Sequence, residues 1–325
     1  MFDMSWKVQL GKYLLKLIDS IEIIESIDLL SDTATIKLPG SALNKQLEIE
    51  SKIKRGDIVE IWLGYDNSLK SEFKGFIESI ATDDAAITIK CEDGIFLTRA
   101  AVKDKEMKNC TSKDIAQYVI DQVNMSLPAD QKLSLSCDYE LKYDKFVISK
   151  ANGRDVLNKL QEETKGNIYM KDRVLHFHPA YIEKFGDVKY DFAINIEKSD
   201  LQYRRADERS YEVEVEGIGP DGKRTVVTLG TTGGEKRTIK ISGVTDAASL
   251  KKRGEEELKY LVFDGYEGSI TSWLVPEVHP GYSAKITDDD YEYKSGTYYV
   301  VTVTTNFSQS GGSRKVQIGR KLANG

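Results

Sequence analysis

The sequence predicts a mainly β fold with an α+β insert. Residues 1 to about 100 and about 196–325 read as short alternating strands between turn residues, whereas about 101–195 hold two amphipathic helix patterns. A third observation is a recurring unit: "RGDIVEIWLGYDNSLKSEFKGFIESI" at 55–80 and "HPGYSAKITDDDYEYKSGTYYVVTV" at 279–303. Each copy opens on a glycine (Gly56, Gly281) and enters an alternating strand. Each then breaks into a polar, acidic loop and resumes at a second glycine (Gly75, Gly296) before an apolar strand. The match is short, so the pattern alone leaves an internal duplication open. A chain of 325 residues has room for two or three domains.

In the first segment, "TATIKLPG" places Ala34, Ile36 and Leu38 on one face, with Thr33, Thr35 and Lys37 on the other. Pro39-Gly40 ends the strand. "DIVEIWLGY" sets Val59, Ile61 and Leu63 opposite Glu60 and Trp62, and "AITIKCED" repeats the pattern with Ile87, Ile89 and Cys91. Several such strands suggest a barrel or a sandwich. In the middle, "CTSKDIAQYVIDQV" is a helix capped by Thr111, with Asp114 three residues on and a stripe of Ile115, Tyr118, Val119 and Val123. "NGRDVLNKLQEETKGN" is a second helix, capped by Asn152 and stopped at Gly166. From about 196 the strands return, interrupted by one helix at about 245–261.

Charge and composition narrow the function. The net charge is −6, against the basic excess of a general nucleic-acid binder. No window of about 18 apolar residues exists to span a membrane. The N-terminus lacks the apolar core of a signal peptide, so export by that route is not expected. Cys91, Cys110 and Cys137 have no metal-like spacing and read as reduced thiols.

No active site is apparent. His176 and His178 share one side of a strand, but zinc needs further ligands and none stands nearby, so they read as a pair on a partly exposed strand. "GTTGGEKR" at 230–237 fails as a phosphate loop, because Lys236 follows Glu235 and Arg237 replaces the Ser or Thr. "DDDYE" at 288–292 lacks the glycine and spacing of a calcium loop. Glu212, Glu214 and Glu216 form an acidic row that more often faces water or a partner than does acid–base work.

The ordered set "LLSDTATIKLPG", "IKRGDIVEIWLGYD", "EFKGFIESI" and "IKCEDGIFLTR" resembles the first barrel of the phage tail baseplate hub family. These are late-control D-like tail proteins, and the same fold forms the base of type VI secretion spike proteins. "GEEELKYL", "YEGSITSWLVPEVHPGYSAKI" and "KSGTYYVVTVTTNFSQSGGSRKVQIG" are similar to the second barrel. The resemblance spans nearly the whole chain. It implies two similar β-barrel domains, 1–100 and 196–325, flanking a small α+β domain at 101–195.

The resemblance also implies a structural protein rather than an enzyme, with no cofactor and no essential metal. Its expected role is a baseplate hub in a phage or prophage contractile tail, or in a related contractile injection particle. There it acts as a trimeric adaptor between the hexameric tail tube and the trimeric central spike. Two barrels per chain then give six around the threefold axis. The implied partners are two further copies of the chain, a tail tube protein above, and baseplate wedge or sheath-associated proteins. A separate spike protein below is expected, because the chain stops at Gly325, just after the second barrel. Assembly is expected in the bacterial cytoplasm, without a membrane. DNA or cargo is expected to pass the lumen without specific binding, past strand faces where acidic residues outnumber basic ones. Tube contacts are expected on hairpins 64–74 and 287–296, through Trp62, Tyr65, Asp288, Asp289, Asp290, Tyr291 and Tyr298. Gly56, Gly75, Gly281 and Gly296 are expected as structural turns. The competing readings are the hub of a non-contractile tail, a peptidoglycan hydrolase, and a carbohydrate-binding β-rich tail protein using Trp62 or Trp273.

Overall fold

The computed structural model describes residues 3–39, 49–82, 86–182, 184–289 and 291–324. The first strands are β1 (Met4–Leu10), β2 (Ser20–Ser26), β3 (Thr33–Pro39), β4 (Ile58–Tyr65), β5 (Ser68–Thr82) and β6 (Ala86–Glu92). Next come β7 (Lys105–Thr111), α1 (Ser112–Asn124), β8 (Ser134–Cys137), β9 (Lys142–Ile148), α2 (Gly153–Thr164), β10 (Gly166–Lys171) and β11 (Val174–Pro179). Strands β12 (Gly186–Asp191) and β13 (Lys198–Ser199) precede β14 (Tyr211–Ile218), β15 (Arg224–Gly230), β16 (Glu235–Ser242) and α3 (Ala247–Leu261). The last four are β17 (Ser269–Trp273), β18 (Tyr282–Thr287), β19 (Gly296–Ser308) and β20 (Gly311–Asn324). The protein is mostly β, with few helices, as the alternating patterns predict.

The chain divides into two compact units, and they do not follow the expected boundaries near 100 and 195. One unit combines the residues up to Phe96 with Lys184–Gln202 and those from Tyr266 onward. The other joins Leu97–Glu183 to Tyr203–Gly265. Residues 203–265 were expected in the second barrel, yet they belong with the α+β segment. Long-range hydrogen bonds account for this. Arg253 Nε donates to the Glu163 carbonyl at 2.9 Å, Lys142 N to Ser249 Oγ at 2.9 Å, and Thr245 Oγ1 to Asp144 Oδ2 at 2.6 Å.

The first unit carries one large sheet, in the order β13-β17-β20-β19-β2-β3-β6-β5-β4-β1, with β12 on β18 and β18 on β19. Two copies of one arrangement are present in it. The first copy runs β1-β4-β5-β6-β3-β2 and the second β12-β18-β19-β20-β17-β13. The copies join where β19 pairs antiparallel with β2. They differ at one outer strand: β1 is antiparallel to β4, whereas β12 is parallel to β18.

Hydrogen bonds fix the correspondence between the copies. Gly56 N donates to the Ile77 carbonyl and Gly281 N to the Val300 carbonyl, both at 2.9 Å. Both glycines have positive φ, 88° and 81°, where a β-carbon is strained. One step on, the register slips in both copies: Ile77↔Cys91 is followed by Ser79↔Lys90, and Val300↔Ile318 by Thr302↔Gln317. Glu78 and Val301 are therefore the same bulge. The second pair of glycines behaves differently. Val59 pairs with Gly75 but Ala284 with Tyr298, and Ile61 pairs with Phe73 but Ile286 with Gly296. Gly75 thus corresponds to Tyr298, and Gly296 to Phe73. Neither Gly75 nor Gly296 makes a turn, since Gly75 lies inside β5 and Gly296 begins β19. Gly75 is required for a different reason: a β-carbon there would stand 2.2 Å from the Glu92 carbonyl oxygen.

The alternation read from the sequence holds in the core of the first copy. Ala34, Ile36, Leu38, Val59, Ile61, Leu63, Ile87, Ile89 and Cys91 are all buried. In the second unit, Thr111 with Asp114 and Asn152 with Asp155 form the two capping boxes. The second helix stops one residue before the expected glycine. Lys165 takes the left-handed conformation, φ 54°, and Gly166 already belongs to β10, where a β-carbon would stand 2.5 Å from the Phe177 ring.

Candidate functional site

The two expected hairpins differ in build. The 64–74 segment is no acidic loop: Asp66 and Asn67, φ 49° and 61°, make a two-residue turn and β5 begins at Ser68. Tyr65 packs against the core and its hydroxyl accepts from Leu274 N at 3.4 Å. Trp62 is half-buried, with Lys7 Nζ 4.4 Å from its ring centre. The 287–296 segment does project aromatics. Tyr291 and Tyr293 are 52% and 62% exposed, with ring centres 6.3 Å apart and Lys294 Nζ 3.9 Å from the Tyr291 ring centre. Asp288 shapes this tip, accepting from Tyr291 N at 3.0 Å. Asp289 lies beside it, and Asp290 falls outside the described residues.

Tyr298 is not on a surface. It is 0% exposed, its hydroxyl donates to the Lys294 carbonyl, and its ring lies 4.8 Å from that of Tyr266. The sequence reading missed Tyr293, whose place in a polar run was its only signal.

Charged side chains from both copies meet inside the first unit. Arg314 of β20, 1% exposed, donates to Glu72 of β5 through both terminal nitrogens, at 2.7 and 2.8 Å. It also donates to Thr305 Oγ1 at 2.9 Å and to the Leu274 carbonyl at 2.8 Å. A bulge aims Glu72 inward. The register slips between Ile61↔Phe73 and Trp62↔Ser71, so Glu72 and Phe73 are both buried although adjacent. Arg314 occupies the place that Ile87 fills in the first copy, since Ser272↔Arg314 matches Leu38↔Ile87.

Close by, His279 Nδ1 lies 2.9 Å from Glu25 Oε1. Burial alone would lower the His279 pKa, but the hydrogen bond and charge of Glu25, with Glu72 behind it, hold it above the ordinary value. A histidine whose folded pKa is raised contributes stability fully below its unfolded value of about 6.5, and loses it as pH rises through the folded value. His279→Gln is therefore expected to destabilise the protein more below that range than at alkaline pH. Urea midpoints at the two pH extremes check this, and an equal loss at both would refute it.

The cysteines are not poised as nucleophiles. Burial pushes the Cys91 thiol up to about 12 and raises Cys110 and Cys137 as well, so none is an activated thiolate. The row Glu212, Glu214 and Glu216 is met by basic side chains. Arg224 and Lys240 stand 2.9 and 3.5 Å from Glu216, and Lys236 stands 3.6 Å from Glu212. Among the described residues, no group of three or more His, Cys, Asp or Glu is placed to hold a metal ion.

Across the first unit, the face of the sheet opposite the core is polar and forms an open groove of about 690 Å³. Trp273, Ser313, Asn306, Glu22 and Thr35 stand in register across five strands. The charged residues that line the groove, Lys37 and Lys198 with Glu22 and Glu197, are balanced in sign. The groove carries no excess of the acidic kind expected on strand faces turned to a lumen.

No family model and no curated protein matches the chain. Its fold is similar to that of the 43 kDa tail protein of prophage MuSo2 from Shewanella oneidensis, with TM-score 0.63 and 14% identity over 98% of each chain. It is also similar to the tail protein from Neisseria meningitidis MC58, with TM-score 0.66 and 13% identity, covering 97% of this chain and 96% of that one. A third similar structure is the E. coli c3393 protein, a component of the type VI secretion system, with TM-score 0.59 and 11% identity over 98% of this chain and 79% of that one. That protein is itself described as structurally similar to the T4 bacteriophage tail proteins gp27 and gp5. At these identities the likeness is one of fold, and it is the fold of phage tail proteins.

Proposed function

We propose that this chain is a non-enzymatic structural component of a phage-type tail. Specifically, it is a baseplate hub that assembles as a homotrimer and joins a sixfold tail tube to a threefold central spike. The observation that carries this reading is the duplication within one sheet, marked by the paired glycine turns, the shared bulge and the matching strand order. Two equivalent units per chain close a six-membered ring only when three chains assemble. The trimer then meets six equivalent tube subunits on one side while keeping threefold symmetry for the spike.

On this reading, the tyrosines of the 287–296 tip meet the tube. Tyr291 and Tyr293 suit that role, because exposed aromatics beside charged residues are typical interface anchors. DNA or cargo passes the lumen of such a ring without specific binding, and the groove's charges of both signs offer phosphate no continuous basic track. The test is the mass of a recombinant complex of this chain with its spike protein, measured by light scattering. Three copies of this chain per particle are expected, and any other number overturns the reading.

A further inference from the structure

The histidine pair of the second unit has a geometry that its sequence spacing could not show. His176 and His178 lie on β11, which pairs with β10 on one side and with β8 on the other. His178 Nδ1 stands 2.5 Å from Asp138 Oδ1, just beyond the end of β8. A carboxylate accepts, so Nδ1 carries the ring proton of His178 and Nε2 presents its lone pair. That lone pair faces His176 Nδ1 at 3.3 Å. Tyr169, the cross-strand partner of His176, stacks on its ring at 4.7 Å with the planes 4° apart.

Two imidazole nitrogens bound to one tetrahedral zinc ion, at about 2.0–2.1 Å each, stand about 3.3–3.4 Å apart. The His176 and His178 nitrogens already hold that separation, and a modest rotation turns both lone pairs toward a common point. An Asp that accepts from the far nitrogen of a ligating histidine is the usual outer partner of such a ligand. We propose that His176 Nδ1 and His178 Nε2 chelate a divalent metal of the imidazole-preferring class, such as Zn²⁺ or Ni²⁺, with Asp138 as the residue that orients His178.

The proton that His176 Nδ1 shares with His178 moves to its own Nε2 when the metal enters, so neutral histidines bind without net proton release. Water fills the remaining coordination positions. Two histidines make a weaker site than the three or four ligands of a structural zinc centre, so the fold does not depend on the metal. The half-buried His176 leaves the site open to solvent, while His178 is 8% exposed.

The test is titration of the full chain, carrying no affinity tag, with ZnCl₂ and with CoCl₂, followed by calorimetry and visible absorption. One equivalent is expected to bind, with the absorption of tetrahedral Co²⁺. His176→Gln and His178→Gln are each expected to remove the site. Asp138→Asn is expected to weaken it about 10–100-fold, as other lost outer partners do. His279→Gln is expected to leave it intact. Absence of binding by the unaltered chain at millimolar metal would overturn the proposal, as would binding that survives His176→Gln. The cobalt spectrum of the unaltered chain decides the matter even if a variant fails to fold.

Discussion

Arg314→Ala is expected to cost the first unit about 3–5 kcal/mol, the loss typical when one partner of a buried ion pair is removed. Arg314 and its partner Glu72 are 1% and 5% exposed, so neither has water to fall back on. With Arg314 gone, Glu72 loses both short hydrogen bonds and remains a buried charge inside a bulged strand. The Leu274 carbonyl and the Thr305 hydroxyl lose their donor as well. Glu72→Ala is expected to cost a similar amount, because it strands the guanidinium instead. The double variant Glu72→Leu with Arg314→Met is expected to recover most of the loss, since replacing both charges by apolar groups of similar volume is often neutral or stabilising. Urea unfolding of the three variants gives the answer. A loss below about 1 kcal/mol for either single variant would place the pair in the surface range and show that it is not desolvated.

The same pair shows what was legible in the sequence and what was not. The last strand alternates Arg314, Val316 and Ile318 on one face, so an arginine on an apolar face was already readable. Its partner was not. In a regular strand Glu72 and Phe73 point to opposite sides, and only the bulge turns both inward. Bulges depend on the register between two strands, which the pattern of one strand does not encode. The helix caps were legible because a capping box spans four residues and needs no distant partner. The placement of residues 203–265 with the α+β segment was not, because it rests on contacts such as Arg253 with Glu163. The order of strands within each copy also exceeded the reading, since a parallel pairing such as β12 on β18 leaves no mark in either segment. The histidine pair was visible as a spacing, but the position of Asp138, just past the end of a neighbouring strand, was not.

The two copies are related by descent or by convergence on one hydrogen-bonding scheme, and the geometry separates their constraints. Positions that share a backbone need keep their residue: Gly56 and Gly281 both hold positive φ and the same donor role. Positions that face the interior carry different residues in the two copies, each fitted to its own surroundings, as Ile87 and Arg314 or Gly75 and Tyr298. The second exchange explains why the shared glycine pattern of the sequence sets the copies two residues out of their true correspondence. Gly296 resembles Gly75 in its sequence surroundings, but the ladder pairs it with Ile286, where the first copy has Phe73 against Ile61.

Tyr298→Ala is accordingly expected to cost about 3–5 kcal/mol, the range for truncating a buried aromatic to alanine. Tyr298 is 0% exposed, lies against Tyr266 with ring centres 4.8 Å apart, and donates its hydroxyl to the Lys294 carbonyl. Truncation empties a cavity in the second copy and leaves that carbonyl without its donor. Tyr291→Ala and Tyr293→Ala, at the exposed tip, are expected to change stability by no more than about 0.5 kcal/mol. The order should invert for docking. If the tip meets a tube subunit, the two exposed tyrosines carry the binding, and truncating either is expected to cost at least about 1–2 kcal/mol of affinity. Tyr298→Phe keeps the packing and should bind the tube as the unaltered chain does. Melting curves and tube pull-downs on the same four variants distinguish the roles. Tube binding lost by Tyr298→Phe and kept by Tyr291→Ala and Tyr293→Ala would reverse the assignment, because the buried tyrosine would then reach the partner and the exposed ones would not.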